Sequence, residues 1–286
     1  MRSDGDQWGI TESVGATALG VAVGRAIETR RADGLVCDPY AEEFVAAASR
    51  PAHLPTRRDM RAAWDMPSSY IGVRSRFFDL CCTAAAAAGI TQVVILAAGL
   101  DTRALRLNWP AGSTVFEVDQ ARVLEFKELV LGGRRPGGAA ARVAVPVDLR
   151  EDWPAALCAA GFDPARPSAW LAEGLLPYLP AQAEADLFDR VHRLSPAGSR
   201  IAVEQFALTL ADTAWQTARM SELLGVDLAD LVYLDDREDP AGRLRRLGWS
   251  ATRAKATDFA QAHGRELSEH VRVFGGDTFF VEAVRR

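Results

Sequence analysis

The stretch VVILAAGLDTRALRL, Val93 to Leu107, decides how the rest of the chain is read. Four apolar residues, Val93–Leu96, run into a corner of small ones, Ala97-Ala98-Gly99, followed by an acid, Asp101, and a helix-compatible tail. A short continuous apolar run ending in a turn is the pattern of a strand buried on both faces. Small residues at its end let something come close to the backbone. A nucleotide, a phosphate or a neighbouring helix would each fit, and the corner alone does not choose among them.

Composition narrows the field. The chain has 286 residues, 49% hydrophobic and 25% charged, enough for one large soluble domain or two small ones. Its 33 basic residues against 38 acidic ones leave a net charge of −5, which argues against a nucleic-acid partner. Arginine pairs such as Arg30-Arg31 and Arg245-Arg246 are scattered among acids and read as solvated faces. The four cysteines, Cys37, Cys81, Cys82 and Cys158, make no C-x-x-C pair, and no Cys/His cluster has zinc-ligand spacing, so no disulfide framework and no metal site is expected. The polar start MRSDGDQWG lacks the apolar core of a signal peptide and no apolar run is long enough to span a bilayer, so a cytoplasmic protein without membrane contact is expected.

Outward from Val93 the pattern differs on the two sides. Ahead of it the chain reads as helices: Val14–Arg31, a piece opened by Asp38-Pro39, and a helix capped at Pro67-Ser68-Ser69 that carries Tyr70, Val73, Phe77 and Leu80 and stops at Gly89. Behind it β-branched runs at Val93–Leu96, Thr114–Val118, Arg142–Val147, Ala169–Ala172 and Ile201–Val203 alternate with helical patterns at Gln120–Val130, Trp153–Ala160 and Gln182–Leu194. That alternation predicts a mostly parallel, doubly wound α/β sheet. Ser250–Ala256 and Thr278–Val284 suggest an antiparallel pair closing one edge. The expected organisation is an N-terminal helical extension over 1–90, serving as a substrate cap, and an α/β domain over 91–286 with an insertion at about 206–240. That insertion, with Trp215, Met220, Leu223 and Leu224, is either a packing helix or a lid.

In such a sheet ligands bind beyond the carboxyl ends of the strands. The corner is neither a Walker loop nor a full dinucleotide fingerprint, since Gly-x-Gly-x-x-Gly has become Ala97-x-Gly99-x-x-Thr102. The next strand ends in Asp119, a carboxylate suited to ribose hydroxyls or to capping the following helix. The third ends in Asp148-Leu149, an acceptor and an apolar neighbour that suit adenine, and the fourth in Glu173. Three acids on successive tips would repel a pyrophosphate and suit a nucleoside with a cationic centre, S-adenosylmethionine. Its carboxylate calls for an arginine, for which Arg74 and Arg76 are the candidates; Arg74 lies nearer the apolar stripe of its helix.

The set Arg74-x-Arg76-x-x-Asp79, Ala97-Ala98-Gly99-Leu100-Asp101-Thr102-Arg103, Phe116-Glu117-Val118-Asp119, Val147-Asp148-Leu149 and Ala172-Glu173-Gly174-x-x-x-Tyr178 resembles the leucine carboxyl methyltransferase-like family, in particular its bacterial polyketide-type O-methyltransferase branch. The resemblance implies a Rossmann-like class I methyltransferase fold and an O-methyltransferase using S-adenosyl-L-methionine on a small molecule of secondary metabolism. It implies that Arg74 holds the cofactor carboxylate and that Ala97, Ala98 and Gly99 touch its amino-acid part. Asp119 would take the ribose, Asp148 and Leu149 the adenine, Glu173 the cofactor amine, and Tyr178 the methyl or the acceptor. Two departures stand out. Ala97 replaces a usual glycine, and the lysine that eukaryotic members carry near the N-terminus has no aligned counterpart, Arg25 being a candidate in its place.

Methyl transfer to oxygen is largely a matter of positioning. A hydroxyl acceptor needs a general base and a carboxylate does not. None of His53, His192, His263 and His270 sits at a strand tip, which favours a carboxylate acceptor. Trp64, Tyr70, Trp215 and Tyr233 are candidate pocket aromatics. The competing classes are a nucleoside-binding regulator without turnover and an NAD-dependent oxidoreductase, and cofactor preference separates them.

Overall fold

β1 (Gln92–Leu96) is the strand expected from the opening stretch, and all five of its residues are buried in the computed structural model. The structure describes residues 13–48, 60–134, 140–206, 218, 221–267 and 278–286. β2 (Thr114–Asp119), β3 (Ala141–Pro146), β4 (Ser168–Ala172), β5 (Arg200–Phe206), β6 (Trp249–Lys255) and β7 (Thr278–Arg285) join β1 in a seven-stranded sheet of order β3-β2-β1-β4-β5-β7-β6. β1 to β5 run parallel, and β7 lies antiparallel between β5 and β6. The late antiparallel pair expected at one edge is therefore present. The strand order reverses at β1, so the carboxyl ends of β1 and β4 flank the crevice where such sheets take ligands.

Side chains leave successive strand positions on opposite faces, and the core divides accordingly. Val93 and Ile95 meet Val73, Phe77, Phe78 and Cys82 of α3 (Met60–Ala87) and Ala256 and Ala260 of α9 (Ala256–Ala262). Val94 and Leu96 face the opposite layer, built on α6 (Trp153–Ala159), α7 (Ala181–Arg193) and α8 (Pro240–Arg246) through Trp153, Leu187, Phe188 and Leu244. Burial of the vicinal cysteines pushes both thiols up, Cys82 to about 12, so they pack rather than react.

One helix boundary differs from expectation. Pro67-Ser68-Ser69 reads as a helix start, yet α3 begins at Met60 and Pro67 lies inside it. A proline removes the N–H that would bond one turn back. Here Ser68 Oγ donates to the Asp65 carbonyl at 3.0 Å, and the stripe buried on the sheet carries the helix through the weak point.

α1 (Ser13–Thr29) crosses α3 at short range because both have glycine at the crossing. A Cβ at Gly24 would fall 2.3 Å from Ile71 Cδ1, and one at Gly72 would fall 2.4 Å from Glu28 Cδ. Glu28 is fully buried and receives Arg265 Nη2 at 2.9 Å and the Leu35 N–H at 2.8 Å, which ties α1 to the segment after α9. Together α1 and α3 form a wall over the carboxyl end of the sheet. No helix among the described residues is long and apolar enough to cross a membrane.

Candidate functional site

That wall and the strand tips enclose a cavity of about 300 Å³. The ends of β1, β2, β4 and β5 contribute Ile95–Asp101, Asp119, Glu173–Leu175 and Phe206; α1 contributes Gly15, Ala18, Gly20 and Arg25. The corner after β1 meets it with bare backbone. Gly99 has φ +47°, and a Cβ there would meet Ala18 Cβ at 3.2 Å. Ala97 has φ +50° and is, among the described residues, the one non-glycine residue in the left-handed region.

Asp119 is held by main-chain donors. Its Oδ2 accepts the Gly99 N–H at 2.6 Å and its Oδ1 accepts the Gln120 N–H at 2.7 Å, which pins the tip of β2 to the corner after β1. Burial pushes its carboxyl up to about 6, and the two N–H groups only partly offset this. The group therefore changes charge within the working range of a cell.

The tips of β4 and β5 are organised by ion pairs instead. Glu173 Oε1 lies 2.9 Å from Arg74 Nε, and its Oε2 accepts from Arg103 Nη1 at 2.7 Å. Arg103, on α4 (Arg103–Arg106), also pairs with Asp101 and donates to Asp79 Oδ1 at 2.7 Å. Burial alone would raise Asp101; Arg103, together with Lys127, Arg106 and Arg25, outweighs it and holds the carboxyl down at about 2. Glu204, fully buried on β5, accepts the phenolic O–H of Tyr70, the Gly174 N–H at 2.7 Å and Arg74 Nη1 at 3.4 Å. Burial raises Glu204 against the pull of Arg74, and burial beside Glu204 raises the Tyr70 phenol well above its ordinary range. Arg74 stays charged because Glu204 and Glu173 outweigh its desolvation.

Among the residues expected at the site, Arg74, Ala97, Ala98, Gly99, Asp119, Glu173 and Tyr178 all line this one cavity. Asp148 and Leu149 do not. Asp148 binds Arg150 Nη2 at 2.7 Å and Gln120 Nε2 at 3.0 Å, so it is linked to the β2 tip through Gln120, while Leu149 packs on the α6–α7 layer. Arg76 is also outside the wall, whereas Arg25 is in it, donating to Asp38 at 2.7 Å and to the Leu100 carbonyl at 2.6 Å. Trp64 and Tyr70 are pocket aromatics and Tyr233 is not; Trp215, Met220, His53 and His270 lie outside the described residues. Leu224, Leu228 and Val232 of the insertion close the cavity opposite the sheet.

Two contributors are not legible as site residues in the sequence: Glu204 lies just beyond the run Ile201–Val203, and Arg103 stands out there only within a motif. The signal for Glu204 is a charge at the end of an apolar strand.

This strand order with an antiparallel β7 is the Rossmann-like class I methyltransferase fold. Residues 18–192 match the leucine carboxyl methyltransferase family, and the chain belongs to it. It is 48% identical over 287 residues to a Saccharopolyspora erythraea protein provisionally named an S-adenosyl-L-methionine-dependent methyltransferase, covering 99% of each chain. A similarly named Rhodococcus jostii protein is 48% identical with 94% of each chain covered. In shape the chain resembles a DUF574 family protein of Streptomyces avermitilis, with a TM-score of 0.58 at 14% identity, covering 93% of this chain and 97% of the other. A Thermobifida fusca protein described as a methyltransferase superposes with a TM-score of 0.54 at 16% identity, covering 96% of each chain.

Proposed function

We propose that the protein is an S-adenosylmethionine-dependent O-methyltransferase acting on a carboxylate or hydroxyl of a small, largely apolar molecule. The observation that carries this is one cavity that joins the small-residue corner after β1 and Asp119 to an apolar wall of Trp64, Ile71, Phe206, Leu224 and Leu228.

The residues present fit the methyl donor. The corner at Ala98-Gly99 brings backbone to the cavity where a Cβ at Gly99 would press on Ala18 of α1 at 3.2 Å. Asp119 would accept from ribose hydroxyls, and Arg74, charged and in the wall, would face the carboxylate. Asp148, linked to Asp119 through Gln120, would take the adenine together with Leu149. Glu173, already clamped by two arginines, would meet the amine by charge rather than as an uncommitted acceptor. When bound, S-adenosylmethionine supplies a methyl group on a positively charged sulfur. The chain's own work is to hold an oxygen in line with that methyl and to exclude water.

Calorimetric titration with S-adenosylmethionine, S-adenosylhomocysteine and NAD tests the reading. Binding of both adenosyl ligands and not of NAD is expected. A wild-type protein that bound only NAD, or nothing, would sink it.

A further inference from the structure

Most of the cavity wall is apolar, and its polar exceptions are informative. Neither arginine in the wall is left for an acceptor: Arg25 is engaged by Asp38 and the Leu100 carbonyl, and Arg74 by Glu173, Glu204 and, on the reading above, the cofactor carboxylate. The acids there are Asp101, Asp119 and Glu173, with Glu204 immediately behind. A carboxylate acceptor would thus be buried with no uncommitted cation among the described residues of the wall, an expensive arrangement. What the wall does offer is Tyr70, whose O–H is already donated to a buried carboxylate.

We infer that Tyr70 and Glu204 are the proton-accepting pair of this site, and that its acceptor is a phenolic or enolic hydroxyl on an apolar molecule. The inference rests on the methyltransferase reading above. As the acceptor oxygen forms its bond to the methyl carbon, the carbon–sulfur bond breaks and its electron pair stays on sulfur. The acceptor's proton passes to Tyr70 Oη while the phenolic proton of Tyr70 passes to Glu204 Oε1, leaving a neutral phenol and a neutral carboxylic acid. A phenol acceptor matches Tyr70 in ordinary acidity, so relaying a proton through the Tyr70 oxygen costs little; an alkyl alcohol is far less acidic. The surroundings suit the role. Glu204 faces Tyr70 and Arg74 from α3, Glu173 and the Gly174 N–H from the β4 tip, and Tyr70 is also hydrogen-bonded by Thr278 of β7. Burial that raises the carboxyl makes it a stronger base than a solvated glutamate. Trp64, fully buried in the same wall, has an indole N–H without a partner among the described residues and adds a donor for the acceptor's oxygen.

The test uses the full chain with 4-phenylphenol and biphenyl-4-carboxylate, two acceptors of like shape that differ in the reacting group. Wild type is expected to bind and methylate the phenol in preference, with kcat rising with pH to a plateau. Tyr70→Phe is expected to lose about 100-fold or more in kcat. Its residual rate should climb with hydroxide without a plateau, and its affinity for S-adenosylhomocysteine by calorimetry should stay within about twofold of wild type. Glu204→Gln should lower kcat in the same way, and if it fails to fold, Tyr70→Phe decides alone. Preference for the carboxylate, rejection of both acceptors, or a Tyr70→Phe enzyme with the wild-type rate and pH profile overturns the inference. In each of those cases retained S-adenosylhomocysteine binding leaves the methyltransferase reading standing; loss of that binding in wild type takes both down.

Discussion

Asp119 at the tip of β2 and Glu173 at the tip of β4 are carboxylates at equivalent places on one sheet, held in opposite ways. Asp119 accepts two main-chain N–H groups and is pushed up to about 6 by burial. Glu173 lies between the guanidinium groups of Arg74 and Arg103. Neutral donors hold a carboxylate while leaving its charge adjustable. Two arginines commit it. The first arrangement suits a group that must meet a ligand, the second a group that must hold other side chains in place.

The largest expected effect comes from breaking the committed side. Arg103 is only 2% exposed and joins Asp79, Asp101 and Glu173. Arg103→Met would leave Asp101 without the strongest of the positive charges that oppose its desolvation, and should cost about 3–5 kcal/mol of folding stability. Urea unfolding measures it. A pH series sharpens the result: in wild type Asp101 sits below its unfolded value, so its contribution is present above about pH 4 and is lost as pH falls towards about 2. The variant should lack that acid-side contribution. A variant of near-wild-type stability would show that the ion-pair cluster does not hold the β4 tip.

Breaking the adjustable side should act on binding instead. Asp119→Asn removes a desolvated charge while keeping an oxygen for one of the two N–H groups, so stability should change little. Affinity for S-adenosylhomocysteine should fall by about 1.5–3 kcal/mol, the worth of hydrogen bonds to a charged group. If Asp119 takes the ribose as proposed, only its ionised form would accept both hydroxyls, so affinity should weaken as pH drops through about 6 and approach tenfold per pH unit below it. Asp119→Asn should flatten that slope. An unchanged slope would assign the titration to another group.

The same contrast explains how much of the site could be read in advance. The β1 corner, Asp119 and Glu173 were legible because each lies where a strand pattern stops, and in a parallel sheet those stops converge. The roles were harder. Whether a tip acid is clamped depends on Arg74, Arg103 and Glu204, which stand up to 130 residues apart in the Arg74–Glu204 pair. Nothing in strand periodicity reports such a partner. Asp148 shows the reverse limit: the pattern placed it at a tip, but its local Arg150 partner and the Gln120 bridge keep it out of the cavity wall. Pro67 misled for a related reason, since tertiary burial of α3 overrode a local breaker. The favoured carboxylate acceptor rests on finding no base at a strand tip; the base inferred above, Tyr70 with Glu204, is one that no histidine count could show.

The smallest expected effect concerns the corner itself. Ala97 sits at φ +50°, where its Cβ crowds the following carbonyl oxygen at a cost of about 1–2 kcal/mol. Ala97→Gly relieves that strain but gives the unfolded chain more freedom, which takes back about 0.4–1 kcal/mol. The balance is a gain of about 0.5–1 kcal/mol in urea unfolding. The methyl group also borders the cavity beside Gly99, so its removal should strengthen adenosyl binding where Asp119→Asn weakens it. Both effects together would make Ala97 a tolerated strain at the point of closest backbone approach. Greater stability with unchanged affinity would confine that strain to the turn and place the ligand's approach at Ala98-Gly99 alone.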